Sequence, residues 1–355
     1  MTQQRTGILL LNLGTPDAPT VPAVRRFLRE FLSDPLVINL PAPIRWLLLN
    51  AIILPFRSKS STEAYQQIWT EEGSPLLVYS KQLHAKLQQQ LGEKFTLALA
   101  MRYGKPTIEN AVKTLVADNC QEIIAVPLYP QYAASTTQSS ILKTKKILKK
   151  LNTNIPVTFI DAFYKHPEYI QSSSEIIANT LKNKIFDKLI FSYHGLPENH
   201  IHKVCQEKQS CDLKEPCPAI TNNNKQCYRA QCYATSHAIA KALGLSKDKY
   251  IVTFQSRLGK TPWITPYTDV LLTQLATQGI KNIVIATPSF IADCLETLEE
   301  INIRARAQWQ SLGGDQFTLT PCLNAHPSWV NALANIIQSK NDIVRSTSQI
   351  TETNS

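Results

Sequence analysis

The chain of 355 residues has little charge, little glycine and no long apolar run, and each shortage excludes a class of protein. Charged residues make up only 18% and glycine occupies only 11 positions, so neither a disordered nor a collagen-like chain is expected. No two glycines are separated by a single residue, which excludes the G-x-G-x-x-G dinucleotide motif. Gly259-Lys260-Thr261 is similar to the end of a nucleotide-binding P-loop, but Phe254 stands where that motif needs its first glycine.

No segment has the length of a membrane span or a signal peptide. The most apolar run, 44–56, has 13 residues and contains Arg45 and Asn50, whereas a spanning helix needs about 20. The apolar stretch 7–13 near the start is too short and wrongly flanked for a signal peptide. We therefore expect a cytoplasmic protein whose cysteines are metal ligands or buried thiols rather than disulfides.

Short apolar runs alternate with longer amphipathic segments along the chain. Near-continuous apolar runs are typical of strands buried on both faces of a parallel sheet. Seven strands are predicted, at 7–13, 95–101, 122–128, 156–163, 188–193, 249–254 and 281–287. Helices are predicted at 21–32, 81–91, 108–117, 137–151, 169–182, 230–243 and 292–311. The alternation predicts an α/β protein with two doubly wound halves and right-handed crossovers.

A length of 355 residues corresponds to about two domains. The expected organisation is a first half at 1–160, a second half at 161–325 with a cysteine-rich insert at 205–227, a helix at 326–340 that packs back on the first half, and a flexible tail at 341–355. The apolar, proline-rich segment 35–59 of the first half breaks the alternation. Its composition fits two alternatives equally well: a buried connector, or an apolar lip over a pocket or against a membrane surface.

One histidine directly follows a predicted strand. In open α/β sheets, ligands bind outside the carboxyl ends of the strands. His194 stands at such an end and is followed by Gly195 and Pro197, which constrain the turn. A single histidine is more often an ordinary hydrogen-bonded residue than a catalyst, so it is this position that favours a functional role. A neutral imidazole there can bind a metal or accept a proton.

Three carboxylates lie on the predicted helix 292–311. At 100° per residue, Asp293, Glu296 and Glu300 fall within about 60° of one another, together with Arg304. Such a stripe is ordinarily a solvated helix face. The alternative is a row of oxygen ligands that passes a divalent cation along the helix.

Five of the eight cysteines lie between residues 205 and 232. Thiolates crowded into a cytoplasmic loop indicate a soft-metal site, either zinc or an iron–sulfur cluster. The usual C-x2-C spacing is absent, so the spacing leaves that choice open, and a redox-labile thiol loop is a further alternative. The remaining cysteines are isolated and are expected to be small buried side chains.

The net charge of +10 permits binding to nucleic acid, an anionic membrane or an anionic small molecule. The lysines between 143 and 150 lie on one amphipathic helix without interleaved aromatic residues, and no nucleic-acid-binding motif is present. We expect a solvated face there and no nucleic-acid partner.

Nine short motifs carry a resemblance to one family. They are LLLNLGTP (9–16), FLSD (31–34), GSPL (73–76), MRYG (101–104), YPQY (129–132), SYHGLP (192–197), FQSRLG (254–259), DCLETL (293–298) and PCLN (321–324). Taken in order along about 320 residues, they resemble ferrochelatase, the lyase that inserts ferrous iron into a porphyrin at the end of haem synthesis.

The resemblance implies two Rossmann-like halves with four-stranded parallel sheets, a chelatase-like fold with a cleft between the halves for the macrocycle. It implies that His194 and Glu296 act on the iron, with Asp293 and Glu300 on an acidic path for metal or protons. Cys294 stands where some relatives have histidine. The implied porphyrin-cleft residues are Asn12, Thr15, Tyr103, Tyr132 and Trp263. Leu13, where relatives that use coproporphyrin have tyrosine, favours protoporphyrin IX as the substrate.

The resemblance also gives the cysteine segment a role. A subset of the family holds a [2Fe–2S] cluster in an internal segment of this kind, which implies Cys205, Cys211, Cys217 and Cys227 as ligands. Cys232 falls on the following helix and is excluded.

With this activity, the apolar lip at 35–59 is expected to cover the porphyrin ring. The expected enzyme is a monomer or homodimer in the cytoplasm, with peripheral contact to the inner face of the membrane. The competing hypothesis is an iron–sulfur sensor or metal-storage protein with a vestigial cleft. The presence of both His194 and Glu296 argues against it.

Overall fold

The computed structural model describes residues 5–204, 211, 213, 216–257, 259 and 261–352. From residue 344 to 352 the description covers the backbone only. The chain divides into two compact units. The first comprises Met1–Leu128, Ala134–Ala162 and Ala325–Ser355, and the second comprises Tyr129–Ala133 and Phe163–Asn324.

The first unit is built on a four-stranded parallel sheet. Its strands are β1 (Thr6–Thr15), β2 (Phe95–Gly104), β3 (Glu122–Pro127) and β4 (Val157–Phe159), in the order β2-β1-β3-β4. Leu9 and Leu11 of the central strand are fully buried, as expected for a strand covered on both faces. At the carboxyl end of β1, Gly14 has φ +114°, and a Cβ there would lie 1.8 Å from the Tyr103 carbonyl oxygen. Only glycine fits this close approach of two strand ends.

Helices cover both faces of this sheet. They are α1 (Val21–Leu32), α2 (Ala42–Leu47), a π-helix (Leu48–Ile53), α3 (Leu54–Ile68), α4 (Pro75–Leu91), α5 (Ile108–Ala117), a second π-helix (Ala134–Gln138), α6 (Ser139–Lys150) and α12 (Pro327–Glu352). The last of these packs on α4. Its backbone stays helical beyond Lys340, where the composition predicts a flexible tail; the flexibility itself stays a prediction.

The second unit repeats the same sheet order. Its parallel strands are β5 (Lys188–His194), β6 (Tyr250–Gln255), β7 (Asn282–Ala286) and β8 (Gln316–Leu319), arranged β6-β5-β7-β8. Its helices are α7 (Pro167–Leu181), α8 (Glu198–Val204), α9 (Tyr228–Ala242), a 3-10 turn (Lys247–Lys249), α10 (Thr268–Thr277), a third π-helix (Glu296–Ala305) and α11 (Arg306–Ser311). Two four-stranded parallel sheets flanked by helices confirm the predicted α/β class.

Segment 35–59 is not a buried connector. It is largely helical, because α2, the π-helix and α3 follow one another without a break from Ala42 to Ile68. Pro43 stands in the first turn of α2, where a missing N–H costs no hydrogen bond, and Pro55 comes two residues after the π-helix. Leu49 and Leu54 are buried, but six large apolar side chains of the segment face solvent. These six form what is here called the apolar lip: Leu40, Ile44, Trp46, Leu47, Ile52 and Phe56.

Candidate active site

His194 is the last residue of β5 and lies half-buried, as its place in the sequence predicts. Its Nδ1 atom is 2.6 Å from the carbonyl oxygen of Gly195. Because a carbonyl oxygen can only accept a hydrogen bond, Nδ1 carries the proton and donates the hydrogen bond to Gly195. Nε2 is then the nitrogen with the free lone pair in the neutral ring. The backbone therefore selects the tautomer that can accept a proton or hold a metal at Nε2.

The turn after His194 is held by a close approach of two chain segments. The Gly195 N–H donates to the Gln255 carbonyl at 2.7 Å, and a Cβ on Gly195 would lie 2.8 Å from that oxygen and 3.2 Å from the Trp263 ring. Pro197 forms an antiparallel bridge with Trp263. These contacts place the Trp263 ring centroid 6.3 Å from that of His194, so the two predicted residues lie together in the second unit.

Gln255 connects the strand that carries the histidine to the helix that carries the glutamate. It lies opposite His194 in the pairing of β5 with β6. Its Nε2 donates to the Glu296 carbonyl oxygen at 2.8 Å, and its Oε1 accepts from the Ser192 hydroxyl at 2.7 Å. Glu296 is the half-buried first residue of the third π-helix. The structure thus brings together the chain segments of His194 and Glu296, predicted as the metal-side pair.

The helix predicted over 292–311 is present in most of that range, but its first part is a π-helix and not the α-helix on which the carboxylate stripe was placed. Asp293 precedes the helix, and the ten residues from Glu296 form a π-helix, whose hydrogen bonds join residues five apart rather than four. Asp293 is 5% exposed, and its carboxylate accepts from the Thr297 hydroxyl at 2.9 Å and from the Asn324 amide at 2.7 Å. Its contacts anchor the segment that leads into the π-helix.

Glu300 is the other acidic residue of the predicted path, and it is bound to the end of β6. One carboxylate oxygen accepts from the Ser256 N–H at 2.8 Å, and the other accepts from the Ser256 hydroxyl and, at 3.4 Å, from the Gln255 amide. Gln255 and Ser256 were not predicted as site residues. The signal was present, because both stand in the motif at 254–259 where a strand ends.

Cys294 lies beside Glu296 and is buried. Burial raises the pKa of its thiol well above the usual range, and the nearby charge of Glu296 acts in the same direction. The side chain at this position is therefore a neutral thiol.

Three of the predicted porphyrin-cleft residues are buried in the first unit. The Asn12 amide donates to the Ser80 hydroxyl at 3.1 Å, and the Thr15 hydroxyl donates to that of Ser74 at 2.7 Å. Tyr103 is 1% exposed and donates to Asp34 at 2.8 Å. In the second unit, the Tyr132 N–H donates to the Gln231 side chain at 2.6 Å. The contact of these residues with a porphyrin stays a prediction.

A buried ion pair supports the strand end that carries Tyr103. The Arg102 guanidinium lies 2.5 Å from the Asp34 carboxylate, which also accepts from the Ser139 hydroxyl at 2.6 Å and from the Leu36 N–H at 2.8 Å. Burial by itself would raise the pKa of Asp34, but these hydrogen bonds and the Arg102 charge together lower it. Sequence reasoning missed this network because its members are 68 and 105 residues apart.

The predicted cluster ligands are only partly described. Cys205 lies outside the described residues, whereas Cys211, Cys217 and Cys227 lie within them. Cys227 is buried directly before α9, and the Cys217 sulfur accepts a hydrogen bond from Arg229 Nη1 at 3.0 Å. Within the described part of the chain, no group of three or more metal-binding side chains is assembled.

Solved structures share this fold. SirB from Bacillus subtilis with Fe3+ matches with a TM-score of 0.54 at 10% identity, over 94% of this chain and 95% of that one. The sirohydrochlorin chelatase SirB from Bacillus subtilis subspecies spizizenii in complex with cobalt matches with a TM-score of 0.52 at 10% identity, over 94% of each chain. These matches, at 10% identity, show that the chain has the fold of the chelatase SirB.

Comparison of sequences names the family. The ferrochelatase family profile matches residues 5–341. Ferrochelatase of Coxiella burnetii (strain CbuG_Q212) is 51% identical over 332 residues, which is 93% of this chain and 92% of that protein. Ferrochelatase of Legionella pneumophila (strain Lens) is 50% identical over 335 residues, 94% of this chain and 98% of that protein. The chain belongs to the ferrochelatase family.

Membership confirms the predicted activity. The protein is a metal chelatase, a protohaem ferro-lyase, which inserts ferrous iron into protoporphyrin IX to make haem. Iron and the porphyrin are its substrates. Among the helices of the described residues, none combines the length and the apolar character needed to cross a membrane.

Proposed function

We propose that His194 and Glu296 perform the insertion chemistry. Placing Fe2+ in the macrocycle forms iron–nitrogen bonds and releases two pyrrole protons, so the site must hold the cation and take up protons. The observation that carries the proposal is the 2.6 Å contact of His194 Nδ1 with the Gly195 carbonyl, because it leaves Nε2 as the basic nitrogen.

In this proposal, His194 Nε2 accepts the two pyrrole protons one after the other and passes the first to solvent before it accepts the second; His194 is only half-buried. The Glu296 carboxylate supplies an oxygen ligand for the entering iron. Glu296 suits that role because it is half-buried at a helix start and its backbone carbonyl is tied to Gln255. We leave Asp293 out of the chemistry, since its carboxylate oxygens are bound to Thr297 and Asn324.

Binding and insertion can be separated to test this assignment. We expect His194→Ala and Glu296→Gln to quench porphyrin fluorescence on binding as the unmodified protein does, while haem formation falls about a hundredfold or more. His237→Ala, which removes an exposed histidine of α9, is the matched control and retains full activity. Undiminished haem formation by His194→Ala would refute the assignment.

We further propose a [2Fe–2S] cluster on Cys205, Cys211, Cys217 and Cys227. Four thiols are the donor set that such a cluster requires, and two of them have supporting contacts. Arg229 donates to the Cys217 sulfur, and Cys227 precedes α9, where the helix dipole stabilises negative charge. A cluster there would supply one-electron redox chemistry to this segment.

The visible absorption spectrum tests the cluster. The protein purified without oxygen should show cluster absorbance with two iron and two sulfide ions per chain beyond any substrate iron. Cys217→Ser should bleach that absorbance, whereas Cys120→Ser, a buried cysteine of the first unit, should leave it unchanged. Colourless unmodified protein, or an unchanged spectrum in Cys217→Ser, would refute the proposal.

We also propose that the apolar lip touches the surface of an anionic membrane, so that the enzyme is cytoplasmic and peripherally bound. Trp46 is 66% exposed and Phe56 is 77% exposed, on a helical segment that also carries Arg45, Arg57 and Lys59. A helix that exposes aromatic side chains beside basic ones is typical of interfacial binding. The expected monomer or homodimer stays a prediction.

A further inference from the structure

Ser256 has a backbone conformation that serine rarely adopts. Its φ is +67°, in the left-handed region, where a Cβ is crowded by the neighbouring carbonyl. Among the described residues, the other non-glycine positions with positive φ are all asparagines: Asn119, Asn152, Asn183 and Asn324. Asparagine tolerates this region because its short amide can bond locally. Ser256 has no amide, and its hydroxyl bonds to Glu300, 44 residues further along the chain, so its turn is supported from elsewhere in the chain.

Glu300 supplies that support. One of its carboxylate oxygens accepts from the Ser256 N–H at 2.8 Å, and the other accepts from the Ser256 hydroxyl. The same carboxylate receives the Gln255 amide at 3.4 Å. The N–H and the hydroxyl of Ser256 therefore both donate to the same side chain, which is 44 residues further along the chain. Residues in sparsely populated conformations persist where the surroundings hold them, and they concentrate at functional sites.

The turn at Ser256 stands in the chain between two residues that contact the candidate site, Gln255 and Trp263. It comes directly after β6, and the chain then leads to Trp263, which bridges to Pro197 and lies beside His194. Immediately before it stands Gln255, which binds the Glu296 carbonyl. A change at Ser256 would thus disturb contacts of both His194 and Glu296.

We propose that Glu300 is a positioning residue, which holds Ser256 in its left-handed turn and thereby sets Trp263 and Gln255 against His194 and Glu296. The resemblance implied instead a place for Glu300 on the iron path. The inference rests on the proposed roles of His194 and Glu296, because the turn matters for the reaction only if those residues carry it out.

The two roles predict different kinetics. A residue that passes iron along affects the KM for iron, whatever stands at position 256. A residue that holds a turn affects kcat and leaves the KM for iron nearly unchanged. Its removal lowers kcat less when residue 256 adopts the left-handed conformation without support. Glycine adopts positive φ without strain, so Ser256→Gly removes that need.

The test is a double-mutant cycle in anaerobic haem formation, with iron varied at saturating protoporphyrin IX. We expect Glu300→Ala and Ser256→Ala each to lower kcat about tenfold, while the KM for iron stays within about twofold. Ser256→Gly should keep at least about half of the original kcat, and adding Glu300→Ala to it should cost about threefold or less. Glu299→Ala is the control, since that neighbouring carboxylate pairs with Arg304 and not with Ser256.

An increased KM for iron in Glu300→Ala that persists in the Ser256→Gly background would overturn the proposal, as would unchanged kcat in Ser256→Ala. If Glu300→Ala does not fold, the comparison of Ser256→Ala with Ser256→Gly decides alone: the proposal requires the glycine variant to be the faster. Failure of the proposed function is separately visible, because it would appear as full activity in His194→Ala.

Discussion

Gln255 donates its side-chain amide to the backbone carbonyl of Glu296 over 2.8 Å, although the two residues are 41 positions apart. Gln255 also lies opposite His194 in the strand pairing. One amide side chain therefore joins the two chain segments to which we assign the chemistry.

Replacing Gln255 with methionine should separate these segments. The variant keeps the side-chain volume but loses the hydrogen bonds to Ser192 and Glu296, so we expect unfolding free energy to fall by about 1–3 kcal/mol. We expect kcat for haem formation to fall more than tenfold, because small displacements of reacting groups cost about that much or more. Gln88→Met, which removes hydrogen bonds of similar number in the first unit, should lose stability and keep its kcat. Equal kcat values for the two variants would contradict the assignment.

The stability of the first unit should depend on pH through Asp34. The pKa of Asp34 is lowered in the folded protein from its ordinary 3.8, so the unfolded chain binds this proton more readily. The contribution of ionised Asp34 to the free energy of unfolding is therefore fully present above pH 3.8, and it is lost as the pH falls through the lowered pKa.

Urea unfolding from pH 7 to about pH 2 measures this dependence. Asp34→Asn should lower the free energy of unfolding by about 3 kcal/mol at pH 7, because it leaves Arg102 buried without its carboxylate. The variant should also lose less of its stability between neutral and acid pH, because position 34 no longer titrates. Asp17→Asn, which breaks an exposed pair with Arg26, should change stability by less than about 1 kcal/mol. Identical acid profiles for Asp34→Asn and the unmodified protein would contradict this account.

The strands were more predictable than the site. Seven of the eight strands were recognisable as apolar runs, whereas β8 was not, because its four residues include a glutamine and a threonine and are mostly not buried. The helix type after Asp293 was also missed, since residue spacing does not reveal whether a carbonyl bonds four or five residues ahead. His194 was found because its position at a strand end is visible locally. The proposed role of Ser256 was not found from the sequence, because the contact that supports it is with Glu300, 44 residues away.

Arg229 should tune the proposed cluster. It is 1% exposed and donates to the Cys217 sulfur, and hydrogen bonds or positive charge near a ligating sulfur favour the reduced state. We expect Arg229→Met to retain iron and sulfide but to shift the reduction equilibrium about tenfold toward the oxidised cluster, a lowering of about 59 mV. Spectroelectrochemical titration measures this shift. Arg306→Met, at a part-buried arginine of the same unit, is the control, and an unchanged midpoint in Arg229→Met would refute the role.

The apolar lip should be required for vesicle binding. Trp46→Ser combined with Phe56→Ser should weaken sedimentation with vesicles that contain phosphatidylglycerol by tenfold or more, because each buried aromatic contributes about 1.5–3 kcal/mol. Ile185→Ser removes a side chain that is 87% exposed outside the lip, and it should bind as the unmodified protein does. If the double variant binds equally well, the lip is not the contact surface.

The central claim is tested most directly by anaerobic incubation of the full chain with protoporphyrin IX and ferrous iron. Loss of porphyrin fluorescence and growth of haem absorbance are followed together, side by side with His194→Ala. The account predicts many haem molecules per chain from the unmodified protein. It predicts that the variant forms haem at a rate lower by about a hundredfold or more. No haem from the unmodified protein, or equal rates from the two proteins, would contradict it.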